Sequence, residues 1–495
     1  MRNSKEKAEI DFFDVTHLKS NLKKRSLKGG VATAAAQAVK FCLQTASTVF
    51  LARLLSPDDY GLIGMATVVI NFAALFKDLG LATATIQKAE INHKQISTLF
   101  WLNFGISCII AIIIALSSSF ISKFYAEPRL TKITLALSIS FIFSGLTVQH
   151  QALLRRQMQF NSLAKIDIIS MSSGVIAAIV AASYELGYWS LVIMPIATSI
   201  VNTAGVWIAC SWRPGLPVYN SGIGSMVSYG GNLTGFSLVN YFSRNLDNIL
   251  IGRYWGSQQL GLYAQAYKLL LLPINQINAP ITSVALPVLS SLQSEPLKYC
   301  KYYYRAILIV TSIGMPIVGF MFVDTKELVL LILGNKWLET ISIFRFLLPA
   351  ALVGTLNVAI GWVYSSLGRT KRLFKWGIVV SAINSLSYIV GVNWGGIGVA
   401  LAYSISSSIL LIPNIIYCYV DTHLTLKNLA STILPPCLSS IAASIILFAI
   451  NNKILITNNS IEKVLLGFIF YSLSYLSFWI LLYKDRNFLL RMIRS

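Results

Sequence analysis

LARLLSPDDYGLIGMA, residues 51–66, resembles a stretch 200 positions later, IGRYWGSQQLGLYAQA, residues 251–266. Each stretch places an arginine, Arg53 or Arg253, eight residues before a Gly-Leu pair. A pattern that returns at a long interval is the mark of an internal repeat, so this pair decides how the rest of the chain is divided.

Two further matches follow the first in the same order along the chain. LLRRQMQF (153–160) resembles LGRTKRLF (367–374) at an offset of 214, and GYWSLV (187–192) resembles GIGVAL (396–401) at an offset of 209. Glycine, leucine and arginine are common near helix ends, so each match is weak alone. Their shared order predicts that one structural unit was duplicated.

The composition predicts an integral membrane protein. Hydrophobic residues make up 55% of the chain and charged residues 12%, and the mean hydropathy is +0.66. A helix that crosses a hydrocarbon core of about 30 Å needs about 20 apolar residues, and we count fourteen runs of this kind. They cover residues 29–52, 60–80, 98–120, 133–153, 166–183, 188–210, 224–250, 260–290, 306–322, 341–366, 376–392, 397–419, 429–450 and 464–483.

The repeat and the runs together predict an all-α integral membrane fold with about 14 transmembrane helices. Two six-helix lobes would form a parallel pseudo-repeat, because an even number of spans returns the chain to the same side, and two extra C-terminal helices follow. Proteins of this design place their substrate between the lobes. The predicted parts are an N-terminal segment (1–28), an N-lobe (29–210), a linker (211–223), a C-lobe (224–419), helices 13 and 14 (429–483) and a tail (484–495).

The distribution of basic residues predicts the orientation. With the N-terminus inside, 27 Lys and Arg residues fall in cytoplasmic segments and 9 in outside loops, as the positive-inside rule requires. Both termini are therefore expected in the cytoplasm. The net charge of +21 is then mainly a topological signal that also favours contact with anionic membrane lipids, and it implies no nucleic acid. Residues 1–28 contain no apolar signal-peptide core.

Five stretches resemble the polysaccharide transporters, the Wzx-like O-antigen and exopolysaccharide flippases of the multidrug/oligosaccharidyl-lipid/polysaccharide exporter superfamily. They are LARLLSPDDYGLIGMATVVI, FKDLGLATATIQK, LLRRQMQF, NLDNILIGRYWGSQQLGLYAQAYKLLLLP and LGNKW. The resemblance covers roughly residues 25 to 420. It implies two six-helix lobes in a V and a flippase in the bacterial inner membrane. Its cargo would be an undecaprenyl-pyrophosphate-linked oligosaccharide of O-antigen, capsule or exopolysaccharide, and polymerase and chain-length components would be partners.

Basic residues inside the predicted spans are the candidates for binding such an anionic cargo. The proposed substrate-binding residues are Lys40, Arg244, Lys268 and Arg345, together with Gln37 and Gln44 on nearly the same helical face as Lys40. Charges are costly in hydrocarbon, so a base there needs an anionic partner or water. No acid of the same helix lies within four residues of Lys40, which makes the cargo its expected partner. The alternative is that these long side chains snorkel to the headgroups.

Asp247 lies three residues after Arg244, so the two can form an ion pair on one helical face. The functional alternative is that Asp247 takes up a proton or a sodium ion and couples it to transport. Three prolines at intervals of seven predict either a hinge or a static bend. They are Pro273, Pro280 and Pro287.

No residue pattern indicates an enzyme, a metal site or a cofactor. The six cysteines are scattered, the four histidines lack metal-ligand spacing, and the G-x-x-x-x-G-K-[ST] motif of an ATP-driven exporter is absent. Asp58 and Asp59 are expected to cap a helix. Two other functions remain open: a multidrug exporter, which would favour buried acids, and a polysaccharide polymerase or ligase, which would need a large outer loop.

Overall fold

The computed structural model describes Phe13 and residues 22–78, 80–88, 90–218, 224–453 and 460–482. Within these ranges the chain consists of α-helices and two short 3-10 turns, without a β-strand. The first half contains α1 (Leu22–Leu54), α2 (Pro57–Asp78), α3 (Leu81–Gln87), α4 (His93–Tyr125), α5 (Arg129–Arg156), α6 (Phe160–Ser183) and α7 (Tyr188–Ala209). The predicted all-α class is confirmed.

The second half begins with the long helix α8. Seven further helices of the described chain follow α8, and the last two of them come after the second repeat. These elements are α8 (Gly224–Ser291), α9 (Pro296–Val323), α10 (Thr325–Ile332), α11 (Thr340–Ser366), α12 (Thr370–Gly391), α13 (Gly395–Tyr419), α14 (Leu426–Lys453) and α15 (Ser460–Leu482).

Eleven helical stretches of the described chain are long and apolar enough to cross a membrane. Two of them, residues 244–291 and 370–419, contain 48 and 50 residues. At 1.5 Å per residue each is over about 70 Å long, more than twice the thickness of a hydrocarbon core. Breaks at Gly256 and at the 3-10 turn Val392–Trp394 divide each stretch into two helices. The multi-span membrane architecture is confirmed, and the predicted count of fourteen spans is approximate.

The chain divides into two compact units, Met1–Asn245 and Leu246–Ser495. The first part of α8 belongs to the first unit, because the hydroxyl of Tyr241 donates to the carbonyl of Val68 at 2.6 Å. The ring of Phe242 also packs on that of Phe72, with centroids 5.0 Å apart. The packing boundary therefore falls later than the predicted linker, which separates the two sequence repeats.

The two helices beyond the repeat are anchored in the second unit. Leu447 of α14 and Tyr471 of α15 pack with Phe320 of α9 in one apolar cluster. A hydrogen bond from Asn451 to the buried carboxylate of Asp324 adds a polar contact at 2.6 Å. Burial raises the pKa of Asp324, which lies in the turn between two helices.

The opening sequence match marks equivalent corners of the two repeats. α1 ends just before Ser56 and α2 begins at Pro57, while the dihedral break in α8 lies at Gly256, 200 positions later. The carboxylate of Asp59 accepts hydrogen bonds from the backbone and hydroxyl of Ser56, and the Asp59 N–H donates back to that hydroxyl. This reciprocal cap confirms the expected role of Asp59.

Asp58 has a second partner beyond the end of its helix. Its carboxylate lies 2.7 Å from the guanidinium of Arg129, which also bonds Glu127 at 2.8 Å. The hydrogen bond from Arg129 holds the pKa of Glu127 below its usual range. This ion pair fastens the corner between α1 and α2 to the turn between α4 and α5, a contact that the sequence interpretation of Asp58 as a simple cap missed.

The second sequence match identifies equivalent turns but in the wrong register. Met158 and Gly368 both take a left-handed φ, 52° and 67°, at the ends of α5 and α11. The turn hydrogen bonds also correspond: 157 to 153, 158 to 155 and 159 to 154 in one repeat, and 367 to 363, 368 to 365 and 369 to 364 in the other. The structural offset is 210, so the match at 214 is one helical turn out of register.

The third match is correct to within one residue. Gly187 precedes α7 with φ 53° and ψ −131°, and Gly395 begins α13 with φ 70° and ψ −158°. These conformations are essentially restricted to glycine. The turn before the last helix of each repeat therefore contains a glycine with positive φ, and the two glycines are 208 positions apart.

Replacing Gly256 by alanine should lower the stability of the protein if the break in α8 requires glycine. Gly256 has φ 78° and ψ −175°, so Gly256→Ala should cost about 1–3 kcal/mol through backbone strain, although a Cβ there meets no atom within 4 Å. The thermal unfolding midpoint of the purified protein measures this. Gly377→Ala is the control, because Gly377 lies inside a regular helix with equal space around it. Equal midpoints for both variants would contradict a requirement for glycine.

Candidate functional site

Lys40 lies on the face of α1 that packs against α6. Leu51 of α1 and Leu55, which directly follows α1, contact Ala178 and Ala182 of α6 in one buried cluster. Lys40 precedes Leu51 by eleven residues, which is about three helical turns and returns to the same face. This packed face is called the α1–α6 seam below, and it includes Lys40 at its N-terminal end.

The structure pairs Lys40 with Asp167 of α6. The ammonium Nζ lies 2.9 Å from Oδ2 of Asp167, and the two side chains are 34% and 41% exposed. Asp167 precedes Ala178 by eleven residues and so lies on the corresponding face of its own helix. We expected no protein partner for Lys40, but the partner comes from a helix 127 residues away. Helical spacing along α1 carries no signal for it.

Gln37 and Gln44 flank Lys40 on α1, and both side chains are exposed. The backbone carbonyl of Gln44 accepts a hydrogen bond from the hydroxyl of Thr48 at 2.8 Å, which leaves its side-chain amide outside this contact. Exposed amides one turn before and one turn after the ammonium extend a polar strip along the helix. This arrangement is suited to hydroxyl-rich or anionic ligands.

Asp247 is the second charged group of interest, and it is 4% exposed. Its two oxygens accept hydrogen bonds from the hydroxyl of Tyr263 and from the backbone N–H of Asn248, both at 2.8 Å. Arg244 is exposed, and the expected ion pair between Arg244 and Asp247 is not formed among the described residues. The carboxylate is satisfied instead by these two hydrogen bonds.

Aromatic rings of three helices extend from this carboxylate within the second unit. Tyr263 stacks on Tyr267 with centroids 6.2 Å apart, and Tyr403 of α13 packs against both Tyr267 and Tyr388 of α12. Within the described residues, the partners of the Asp247 carboxylate are a hydroxyl and a backbone N–H, and it forms no ion pair. Such a group is chemically able to take up a proton or a small cation.

The other predicted site residues do not join either cluster. Lys268 is half-buried in α8, and Arg345 is exposed near the start of α11. Neither forms an ion pair within the described part of the chain. Their role in substrate binding stays a prediction.

Pro273, Pro280 and Pro287 lie inside the second part of α8. The described departure from helical dihedral angles in α8 lies at Gly256, ahead of all three prolines. Gly256 is therefore the break in this helix, and a hinge at the prolines stays a prediction. Sequence reasoning chose the prolines because they lack a backbone donor, whereas a glycine with positive φ leaves no periodic signal.

A buried polar chain in the first unit also escaped the sequence interpretation. The hydroxyl of Thr85 donates to the amide oxygen of Gln149 at 3.0 Å, and the amide nitrogen of Gln149 donates to Asn103 at 2.8 Å. Arg156 donates to backbone carbonyls at the end of α3, including that of Thr85 at 3.1 Å. These bonds join α3, α4 and α5 and satisfy polar groups that would be costly if left alone.

Sequence relatives share most of this chain. Lipopolysaccharide biosynthesis protein WzxC of Escherichia coli (strain K12) is 26% identical over 390 residues, which are 77% of this chain and 78% of the relative. Teichuronic acid biosynthesis protein TuaB of Bacillus subtilis (strain 168) is 29% identical over 390 residues, 77% of this chain and 79% of the relative. Succinoglycan biosynthesis transport protein ExoT of Rhizobium meliloti (strain 1021) is 20% identical over 352 residues, 70% and 71% of the two chains.

Solved structures share the fold. The lipid II flippase MurJ in an inward closed conformation superposes with a TM-score of 0.73 at 17% identity, over 93% of this chain and 99% of its own. An inward-facing multidrug resistance transporter of the MATE family gives a TM-score of 0.58 at 14% identity, over 77% and 95% of the two chains. At these identities the likeness concerns the fold alone.

The family comparison agrees with the resemblance noted in the sequence. A sequence profile of the family described as "Polysaccharide biosynthesis protein" matches residues 50–342, which is more than half of the chain. The matched region begins in α1 and ends in α11, and it includes the two corners that opened the sequence comparison. The chain belongs to this family of polysaccharide biosynthesis proteins.

Proposed function

We propose that this protein is a flippase. It moves undecaprenyl-pyrophosphate-linked oligosaccharide units across the bacterial inner membrane for the synthesis of O-antigen, capsule or exopolysaccharide. The observation that carries the proposal is the family match over residues 50–342. The fold shared with a lipid II flippase and relatives named for lipopolysaccharide, teichuronic acid and succinoglycan biosynthesis support it.

The chemistry of the cargo explains why a base inside a spanning helix is useful. A diphosphate is strongly hydrated in water, and its passage through a low-dielectric region requires fixed positive charge and hydrogen-bond donors. Lys40 supplies the charge, and the exposed amides of Gln37 and Gln44 supply neighbouring donors. Exposure of the site to one side of the membrane and then to the other completes transport without breaking a covalent bond. The protein is therefore not an enzyme.

The multidrug-exporter alternative receives less support. The MATE fold is shared at 14% identity, and the partly exposed seam presents a base, Lys40, beside an acid, Asp167, so neither observation favours a cationic drug. The polysaccharide family match also favours the lipid-linked cargo. A polymerase or ligase would have to break and form glycosidic bonds, and no residue constellation in the described chain points to that chemistry.

The protein acts in the inner membrane with both termini in the cytoplasm. With this orientation, 27 basic residues lie in cytoplasmic segments and 9 in outside loops, which supports it. A reporter enzyme fused after Ser495 distinguishes this orientation from the opposite one, in which both termini lie outside the cytoplasm. A glycan polymerase and chain-length components consume the translocated unit and are the functional partners.

Lys40→Ala should greatly reduce export of the polysaccharide. Loss of one charge-assisted contact to a phosphate costs about 1.5–3 kcal/mol, which corresponds to about ten- to a hundredfold in binding. Lys40→Arg keeps the charge and should retain part of the activity. The measurement is complementation of a flippase-deficient strain, normalised to the amount of protein in the membrane.

Lys132→Ala is the matched control for this variant. Lys132 lies at the start of α5, outside the α1–α6 seam, so its loss removes an equal charge without touching the proposed site. Full export by Lys40→Ala at normal protein level would contradict a role for Lys40 in cargo binding. Loss of export by Lys132→Ala to the same extent would show that the effect is not specific.

Asp247 is the proposed coupling group, which takes up a proton or a sodium ion during each cycle. Asp247→Asn should abolish export with normal protein level, because asparagine retains an oxygen that accepts from Tyr263 but cannot be protonated or bind a cation as tightly. Tyr263→Phe removes the hydrogen bond and keeps the carboxyl group, so it should retain partial export. The same complementation measures both variants, and full export by Asp247→Asn would exclude this role.

A further inference from the structure

We propose that Asp167 is an exchangeable counter-anion of the cargo site. Its carboxylate pairs with Lys40 when the site is empty and is displaced by the cargo diphosphate on loading. It pairs with Lys40 again when the cargo is released. The inference rests on the proposed function and deepens it, because it assigns a residue to the exchange step. Asp167 would act through Lys40 and would not itself bind the cargo.

The location of the pair separates it from the other ion pairs of the described chain. The others lie at helix ends or in turns, namely Arg129–Asp58, Arg129–Glu127, Lys298–Glu295, Arg372–Asp421 and Lys463–Glu327. Lys40 is eighteen residues from the beginning of α1 and fourteen from its end. Asp167 lies seven residues after the start of α6, so the pair joins the middle of one helix to the first two turns of another, and both side chains stay partly exposed.

Adhesion between α1 and α6 does not require the pair. Leu51 and Leu55 already pack with Ala178 and Ala182 along the same seam. A partly exposed ion pair contributes only about 0–1 kcal/mol, so the pair is weak evidence for a stabilising role. The pair lies at the end of an otherwise apolar seam, and this position indicates that Lys40 and Asp167 are charged for a functional reason.

The pair is open enough to exchange its partner. About a third of the Lys40 side chain and two fifths of that of Asp167 are exposed, 34% and 41%. An anion can therefore approach the ammonium without prior separation of the two helices. The salt bridge spans 2.9 Å between Nζ and Oδ2, which is also the distance at which a phosphate oxygen would bind.

Electrostatics gives the exchange a direction. With Asp167 in place the site is neutral, so an ionised lysine is not left uncompensated in the empty transporter. A diphosphate offers more negative charge and more acceptor oxygens than one carboxylate, and it can displace Asp167. The displaced carboxylate then lies close to the bound cargo and repels it, which lowers affinity and speeds release.

Binding and transport should therefore change in opposite directions in Asp167→Asn. The purified protein in detergent is titrated with farnesyl diphosphate, a soluble isoprenoid diphosphate, by calorimetry. We expect the variant to bind about tenfold more tightly than the wild type, because neither the competing nor the repelling charge remains. Its polysaccharide export, normalised to protein level, should be lower than that of the wild type because release is slower.

Two further variants complete the experiment. Lys40→Ala should remove the binding, and adding Asp167→Asn should not restore it, since the positive charge that holds the diphosphate is still missing. Glu327→Gln breaks the 2.7 Å pair with Lys463 elsewhere in the chain and should leave the affinity unchanged. This control separates loss of any ion pair from loss of this one.

The outcomes distinguish the inference from the proposed function. If the wild type binds and exports but Asp167→Asn binds equally or more weakly, the exchange is wrong and the pair is structural. A fall in thermal stability without a gain in affinity leads to the same conclusion. If neither protein binds the diphosphate and neither supports export, the proposed function itself fails.

Discussion

A charged side chain inside a hydrocarbon layer must have a partner, and this constraint organises both candidate sites. Lys40 meets it with Asp167 across the α1–α6 seam, 2.9 Å away and partly exposed. Asp247 meets it with the hydroxyl of Tyr263 and a backbone N–H, and it is almost completely buried. One site pairs a lysine with a partly exposed carboxylate, and the other encloses an acid that forms no ion pair among the described residues.

The repeat supplies the frame that holds these groups. Each half turns between helices at equivalent points, with Ser56 and Gly256 at the first corner and Met158 and Gly368 at a later one. The two halves use different side chains for the same purpose: a reciprocal cap at Ser56 and the conformational freedom of glycine at 256. The sequence of one repeat has therefore diverged while the positions of its turns have been kept.

Sequence reasoning was reliable where the signal lies along one helix and unreliable where it lies between helices. Apolar length predicted the multi-span helical architecture, and the corner at 51–66 aligned with 251–266 without an offset error. The match at 153–160 slipped by one helical turn because residues four apart share a helical face and similar composition. Asp167 was missed as the partner of Lys40 for a related reason: periodicity predicts which face a residue occupies, but not which helix packs there.

Translocation of a lipid-linked diphosphate oligosaccharide by this protein can be measured directly. The most direct test is reconstitution in vesicles that contain a fluorescent undecaprenyl-diphosphate oligosaccharide in both leaflets, followed by digestion with a membrane-impermeant glycosidase added outside. We expect vesicles with the protein to lose the whole oligosaccharide pool, because material from the inner leaflet is carried outward, whereas protein-free vesicles should lose only the outer-leaflet pool. Equal digestion in both preparations, with the protein shown to be folded and inserted, would contradict the proposed translocation.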